Sequence, residues 1–323
     1  IALGVSPMSA SRHLVDPELF GLLETFPQLQ LSEAMLPLMR AAPTRSFDFG
    51  DQGASALSSR RSIAGPAGAP DVAVSIHIPA TATTNRGAIL HIHGGGYIAG
   101  SAEANAPAHR VLAETLDVVV VSVDYRLAPE TRFPGAVEDC YAALGWLVAN
   151  ASEFGVDAAR IGIMGESAGG GLAAGLALLV RDRGEYALAF QHLIYPMIDD
   201  RTCTRSDPHP YAGEFIWTQQ SNVFGWTALL GAAPGGDAVS PYAAAARATD
   251  LTRLPPTYIA VGALDLFLEE NLDYARRLTR AGVPVELHVY PGAFHAFQFA
   301  TDSALSKTAW LDSQRALERI LKP

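Results

Sequence analysis

The chain has 323 residues, enough for one large α/β domain or for about two domains of average size. Hydrophobic residues make up 49% of it and charged residues 17%, which excludes an intrinsically disordered protein. The net charge of −10 repels phosphate backbones and anionic lipid head groups, so we expect neither nucleic acid nor a membrane as a partner.

Cysteine content and apolar runs exclude further classes. Cys140 and Cys203 are too few for a disulfide framework or a four-thiolate metal site. The longest apolar runs, 118–123 and 172–180, are far shorter than the roughly 20 residues that cross a bilayer. No basic region followed by an apolar stretch is visible near the first residue, so we expect no signal peptide and predict a soluble, cytoplasmic protein.

Residues 1 to about 45 are predicted to form an N-terminal helical cap segment. Asp16, Pro17 and Glu18 are typical of a helix start, with a capping residue, a proline in the first turn and an acid near the positive end of the helix. Three prolines divide the segment into short pieces: Pro27, Pro37 and Pro43. We therefore expect a cap laid over the core.

From residue 71 onward, β-rich runs alternate with helix-length segments. The predicted strands are 72–78, 88–93, 118–123, 160–164, 188–195, 257–261 and 285–290. The predicted helices between them include 136–148, 169–183 and 269–281. This alternation is typical of a mostly parallel sheet with helices on both faces, so the sequence predicts an α/β fold.

One interval breaks the alternation. About sixty residues separate the strands 188–195 and 257–261, which is long for one connection in a compact α/β domain. We interpret residues from about 197 to 240 as a second cap segment.

The strongest local signal is Gly165-Glu166-Ser167-Ala168-Gly169, which joins a β run to a helix rich in small residues. G-x-S-x-G in this context is typical of a strained turn that exposes a nucleophilic serine, with glycines that let neighbouring chain pass. A chance match in a glycine-rich chain is the alternative, because the pentapeptide is short. The strand–turn–helix context favours Ser167 as a nucleophile.

A glycine-rich turn, His93-Gly94-Gly95-Gly96-Tyr97, follows the predicted strand 88–93. Glycines permit the dihedral angles that turn backbone N–H groups outward, where each donor to an oxyanion contributes about 3 to 4 kcal/mol.

The same glycines allow a competing interpretation as a dinucleotide site. Residues 94–99 also fit G-x-G-x-x-A after a strand, and Asp124 ends the next strand, about where a ribose-binding acid would lie. Against this interpretation, Pro107 interrupts the following stretch, and His91 and His93 make the strand polar. These two histidines share one strand face, but no third metal ligand has a suitable spacing, so a structural hydrogen-bonding role is favoured over a metal site.

A serine nucleophile needs a base and an acid that orients it, and in the α/β-hydrolase topology they follow in the order Ser, Asp or Glu, His. Asp265 follows the predicted strand 257–261, and His295 follows the strand 285–290. Both lie beyond the carboxyl end of a strand, where ligands bind in α/β sheets. Other candidates lie in a helix start, a strand or a loop: Glu269, Glu270, Asp273, His288 and His209.

Together these residues resemble the bacterial hormone-sensitive lipase-like carboxylesterases (family IV) of the α/β-hydrolase fold. The residues that carry the resemblance are His93 to Tyr97, Asp124 to Glu130, Phe133-Pro134, Glu138-Asp139, Gly165 to Gly170, Asp265 and His295. The resemblance extends from about residue 71 to the end of the chain, with an N-terminal helical cap that is similar in kind. It implies one catalytic domain over residues 46–323 and a triad of Ser167, Asp265 and His295.

The resemblance also implies an oxyanion hole formed by the N–H groups of Gly95, Gly96 and Ala168, and a reaction that needs no metal or cofactor. Esters with short to medium acyl chains are the expected substrates. Lactones, amides, carbamates and a catalytically silent ligand-binding role stay open as alternatives. A homodimer through the final strand is expected by analogy. Aromatic residues of the two cap segments are candidates for an acyl-pocket wall, although core positions are more usual for them: Phe20, Phe26, Phe215, Trp217, Phe224 and Trp226.

The chain departs from the family pattern at three positions, listed with the residue that is more usual: Glu166 (Asp), Leu266 (Pro) and Ala296 (Gly). None of them removes a reacting group. The stretch from Tyr125 to Glu130 resembles a structural brace beneath the site, and the side chains of Arg126 and Glu130 could pair within it.

Overall fold

The computed structural model describes residues 10–26, 31–41, 55–81 and 83–322. Its eight strands are β1 (Leu57–Ile63), β2 (Val72–Ile78), β3 (Arg86–Ile92), β4 (Val119–Asp124), β5 (Val156–Glu166), β6 (Gln191–Ile194), β7 (Thr257–Gly262) and β8 (Val285–Tyr290). They form one sheet in the order β1-β2-β4-β3-β5-β6-β7-β8. β2 pairs antiparallel with β1 and β4, and all other neighbours are parallel. Each predicted strand is present, with ends shifted by a few residues.

Helices cover both faces of this sheet. They are α1 (Phe20–Thr25), α2 (Leu36–Ala41), α3 (Ala106–Leu116), α4 (Gly135–Ala149), α5 (Ala168–Arg183), α6 (Gln219–Leu230), α7 (Leu268–Arg280) and α8 (Ala304–Leu321). α3 and α8 pack on one face, and α4, α5 and α7 pack on the other. The run of four valines at 118–121, which leads into β4, is apolar without alternation because Val119 and Val121 face one core while Val118 and Val120 face the other. The predicted α/β-hydrolase fold is confirmed.

The start of α3 corrects one sequence-based expectation. Pro107 does not interrupt a helix there, because it lies in the first turn of α3. The first N–H groups of a helix have no acceptor within the helix, so a proline at that position loses no hydrogen bond. The helix still begins well after Gly94–Gly96, and Asp124 is occupied by an ion pair with Arg60. The dinucleotide interpretation therefore has no structural basis.

The N-terminal segment consists of short helical pieces. The Asp16 side chain accepts a hydrogen bond from the N–H of Glu18, as the sequence predicts for a helix start. Leu19 and Leu22 are buried in one core cluster, and Leu36 of α2 is buried in the other. Pro27 and Pro43 lie outside the described residues, as does the predicted boundary near residue 45, so the division into cap and catalytic domain stays a prediction. Among the described helices, none is long and apolar enough to cross a bilayer.

Candidate active site

Ser167 lies in the sharp turn between the end of β5 and the start of α5. Its backbone has φ 55° and ψ −119°, a region that non-glycine residues rarely adopt. Three hydrogen bonds hold this conformation: the N–H of Ser167 donates to Ile194 (2.9 Å), and its carbonyl accepts from Gly171 and Met197 (2.9 Å each). A Cβ on Gly169 would lie 2.0 Å from the carbonyl oxygen of Ile92, so the close approach of α5 to β3 requires glycine there.

The structure brings Ser167, His295 and Asp265 together. Ser167 Oγ lies 2.9 Å from His295 Nε2, and His295 Nδ1 lies 2.8 Å from Asp265 Oδ2. The other carboxylate oxygen of Asp265 accepts from the N–H of Phe267 at 2.9 Å. Because β7 and β8 are parallel neighbours, the loops after their carboxyl ends place the acid beside the imidazole. All three residues are buried, and Asp265 is fully inaccessible.

Aromatic rings enclose the imidazole of His295. The ring centroids of Tyr195, Phe267 and Trp217 lie 4.8, 5.1 and 6.3 Å from that of His295. Packing on several sides limits the orientations of the ring, which keeps Nε2 directed at the serine.

The glycine turn, residues 94–100, lies directly beside Ser167. A Cβ built on Gly94 would lie 3.5 Å from Cβ of Ser167. Gly95 and Gly96 have φ of 119° and 63°, which explains the need for glycine. Within the described part of the chain, no group accepts a hydrogen bond from the N–H groups of Gly95, Gly96 or Ala168. The N–H of Ala168 also opens α5, whose positive end favours negative charge.

The glycine turn, Ser167 and His295 border a cleft of about 300 Å³, at the small end of the range for ligand pockets. Met39, Trp217 and Phe299 supply apolar wall. Trp217 is the one of the six candidate aromatics that lines the cleft, whereas Trp226 is fully buried against Tyr97. The indole of Trp217 packs over the glycine turn. A Cβ built on Gly96 would lie 2.1 Å from Cη2 of that indole.

His91 and His93 have structural hydrogen bonds, as the sequence favours. His91 bonds Ser122 Oγ through Nδ1 (2.8 Å) and the carboxylate of Glu166 through Nε2 (2.9 Å). His93 bonds the carbonyl of Gly94 through Nδ1, and burial lowers the pKa of its imidazole to about 4. Among the described residues, no group of three or more His, Cys, Asp or Glu side chains could hold a metal ion.

The three departures from the family pattern are accommodated locally. Glu166 reaches the buried His91, and Leu266 packs against Gly213. Ala296 has φ 61°, the left-handed region in which glycine is more usual.

The expectation that Arg126 pairs with Glu130 is wrong. The guanidinium of Arg126 pairs with Asp139 of α4, with contacts as short as 2.6 Å, and Asp139 also accepts from the N–H of Arg126 at 2.9 Å. Glu130 instead pairs with Arg40 of α2. The buried Asp139 is therefore the centre of the brace, because it satisfies a main-chain and a side-chain donor together.

The alternative acids and histidines take other partners. Glu269 pairs with Arg205, and His288 pairs with Glu286. Glu270 is buried and accepts from the N–H of Ile198 at 2.7 Å.

Comparison with known proteins places the chain in a family. Residues 89–299 match the family described as the alpha/beta hydrolase fold, and the chain belongs to it. The chain is 32% identical over 300 residues to carboxylesterase NlhH of Mycobacterium tuberculosis, and the match covers 90% of each chain. It is 35% identical over 214 residues to an arylesterase of Saccharolobus solfataricus, and that match covers 66% of this chain and 69% of the arylesterase. The solved structure of a bacterial heroin esterase is 37% identical, with a TM-score of 0.86 and coverage of 96% of this chain and 99% of that one. These matches confirm the predicted resemblance to the hormone-sensitive lipase-like esterases and support the predicted class, a carboxylic ester hydrolase.

Proposed function

We propose that this protein is a serine carboxylesterase that hydrolyses esters with short to medium acyl chains through an acyl-enzyme. The observation that carries the proposal is the hydrogen-bonded chain from Ser167 Oγ through His295 to Asp265, beside the N–H groups of Gly95 and Gly96, which have no acceptor among the described residues. The names of the relatives support the same class of reaction.

In the first half of the proposed reaction, His295 Nε2 takes the hydroxyl proton as Ser167 Oγ attacks the ester carbonyl carbon. The carbonyl oxygen becomes an oxyanion that accepts from the N–H groups of Gly95, Gly96 and Ala168. His295 then donates the proton to the departing alcohol oxygen, which leaves Ser167 acylated.

In the second half, water attacks the acyl carbon and gives its proton to His295 Nε2. Collapse of the tetrahedral intermediate releases the carboxylic acid and returns the proton to Ser167 Oγ. The buried carboxylate of Asp265 stabilises the imidazolium in both halves and fixes the ring orientation through Nδ1.

The small cleft supports the proposed chain length. At about 300 Å³, with the indole of Trp217 standing over Gly96, it has little space for a long acyl chain. We expect p-nitrophenyl butyrate to be hydrolysed with a higher kcat/KM than p-nitrophenyl palmitate.

Covalent labelling tests the proposed nucleophile. A fluorophosphonate probe should add one label to the wild-type chain, measured by intact mass spectrometry, and none to Ser167→Ala, which should lose esterase activity by about 10⁴-fold or more. Equal labelling of both proteins would refute the assignment.

The pH profile tests the base separately. The kcat/KM for an ester should fall on acidification, because an imidazolium cannot accept the serine proton. A rate that is constant between pH 5 and pH 9 would contradict the role of His295.

A further inference from the structure

Arg40, in the last turn of α2, joins the N-terminal segment to two loops of the α/β domain. Its Nε donates to the carbonyl of Ile98 at 2.8 Å, and its Nη2 donates to the carbonyl of Ala128 at 2.9 Å. Nη1 and Nη2 also donate to the two carboxylate oxygens of Glu130, each at 2.8 Å. The Arg40 side chain borders the cleft, yet all three of its nitrogens are already engaged by the protein. Four of its five N–H donors therefore hold structure.

The carbonyls that Arg40 binds belong to the support of the glycine turn. The N–H of Ile98 donates to the carbonyl of Gly95 at 3.1 Å, so Ile98 closes the turn that carries the outward N–H groups. Ala128 is bonded to the same turn, because its N–H donates to the carbonyl of Tyr97 at 2.9 Å. One guanidinium thus fixes the turn and the loop behind it relative to each other.

We propose that Arg40 is a positioning residue that keeps the N–H groups of Gly95 and Gly96 aimed at the oxyanion. This inference rests on the proposed function, in which those groups stabilise the tetrahedral intermediate. Glu130 fixes the plane of the guanidinium. A lysine cannot replace this arrangement, since an ammonium has no planar set of donors that reaches separate acceptors.

The fold allows the role to be tested by substitution. Leu36 anchors α2 in the hydrophobic core independently of Arg40, with 4% of its surface exposed. Arg40→Met keeps most of the length of the side chain and removes every donor. The carbonyl oxygens of Ile98 and Ala128 lose their donor in this variant. The wild-type Arg40 side chain beside them is 28% exposed, so water can replace the lost donors.

The experiment compares Arg40→Met and Arg40→Lys with the wild type on p-nitrophenyl butyrate. We expect kcat to fall roughly tenfold in Arg40→Met, less than the loss of a whole oxyanion donor, with KM within about twofold. The inhibition constant of an alkyl trifluoromethyl ketone, whose adduct with the serine places an oxyanion in the same position, should rise by a similar factor. Arg40→Lys should recover little of either quantity.

Arg61→Met is the matched control. Arg61 and Glu153 form another exposed ion pair, with side chains 40% and 47% exposed, and neither residue borders the cleft. We expect its kcat and its inhibitor affinity to match those of the wild type. If Arg40→Met is unfolded at the assay temperature, Glu130→Gln replaces it, with an expected threefold or greater fall in kcat.

Three results would overturn the role of Arg40: a kcat within twofold of the wild type, a fall in kcat without weaker ketone binding, or an equal fall in Arg61→Met. Ser167→Ala is assayed alongside to separate this inference from the proposed function. Activity that survives in Ser167→Ala overturns the proposed nucleophile, whereas full activity in Arg40→Met beside an inactive Ser167→Ala overturns the role of Arg40 alone.

Discussion

Asp139 and Glu130 offer the same carboxylate chemistry in opposite surroundings. Asp139 is fully buried and accepts from the main chain and the guanidinium of Arg126, whereas the side chain of Glu130 is 62% exposed. Removal of Asp139 leaves the main-chain N–H of Arg126 and a guanidinium that is 29% exposed without their acceptor, which costs up to about 3 kcal/mol, but an exposed pair contributes at most about 1 kcal/mol. The energetic difference between the two sites should therefore be large.

We predict that Asp139→Ala lowers the free energy of unfolding by about 3 kcal/mol and that Glu130→Ala lowers it by less than about 1 kcal/mol. Urea titrations followed by tryptophan fluorescence measure both changes under the same conditions. Equal losses in the two variants would mean that the buried carboxylate is not the centre of the brace.

The hydrogen-bond partners of individual side chains were harder to predict than the candidate catalytic residues. Ser167, Asp265 and His295 could be found because each follows a strand and their order in the chain is restricted. The partner of Arg126 could not, since its long side chain reaches positions on two sides and the sequence carries no distances. Arg40 was missed for a related reason: two of its four acceptor atoms are backbone carbonyl oxygens, and every residue has one.

At the scale of secondary-structure elements, α6 fixes one wall of the cleft. The indole Nε1 of Trp217 donates to Asn222 of α6 at 3.1 Å, and Asn222 is fully buried. The wall is therefore rigid, and its removal should lengthen the space available to the acyl chain.

Trp217→Ala should raise the ratio of kcat/KM for p-nitrophenyl octanoate to that for p-nitrophenyl butyrate by roughly tenfold, because one or two methylenes of contact are worth about 1 to 3 kcal/mol. Phe224→Ala is the control, since Phe224 lies on α6, which Trp217 immediately precedes, and is half-buried and outside the cleft lining. A ratio that is unchanged in Trp217→Ala, or equally changed in both variants, would contradict this assignment.

β1 was missed in the sequence analysis because its side chains show no burial pattern. Six of the seven side chains of β1 are exposed, so the strand has no alternation of polar and apolar residues. Antiparallel pairing with β2 and ion pairs hold it, including Arg60 with Asp124. α3 was missed because Pro107 suggested a break in the place where a helix begins.

At the scale of the whole molecule, burial of neutral histidines makes stability depend on pH. Desolvation lowers the imidazole pKa to about 4 for His77 and His93, to about 3 for His192, and well below its usual value of 6.5 for His109. In the unfolded chain these groups take up protons below about pH 6.5, but in the folded chain they do so only at much lower pH. Burial also raises the pKa of the Glu270 carboxyl, which favours the folded state as the pH falls, but this one group opposes four histidines.

We therefore predict that the free energy of unfolding falls as the pH is lowered from 6.5 to 5, by roughly 1 to 2 kcal/mol for each of these histidines. Urea unfolding at a series of pH values measures the slope of the free energy of unfolding against pH. In His77→Gln this slope should correspond to about one fewer proton bound on unfolding. A free energy that is constant over this range would show that the imidazoles are accessible to protons in the folded state.

The fold class was predictable because alternating strands and helices leave few ways to cover both faces of a sheet. The extent of the N-terminal cap segment was not, because short helices separated by prolines have no core of their own. Association through the last strand also stays a prediction: β8 forms one edge of the sheet, and Leu287 and Val289 are 38% and 41% exposed.

The burial of α5 has a consequence for how new activities can arise in this scaffold. Every residue from Ala168 to Val180 is buried, and added methyl groups at Gly169 or Gly175 would meet backbone oxygens at 2.0 and 2.2 Å. Mutant libraries aimed at this helix should yield mostly unfolded chains. Productive diversity is available in residues 37–39 and 202–240, where the chain can change what enters the cleft without rebuilding the turn that holds Ser167.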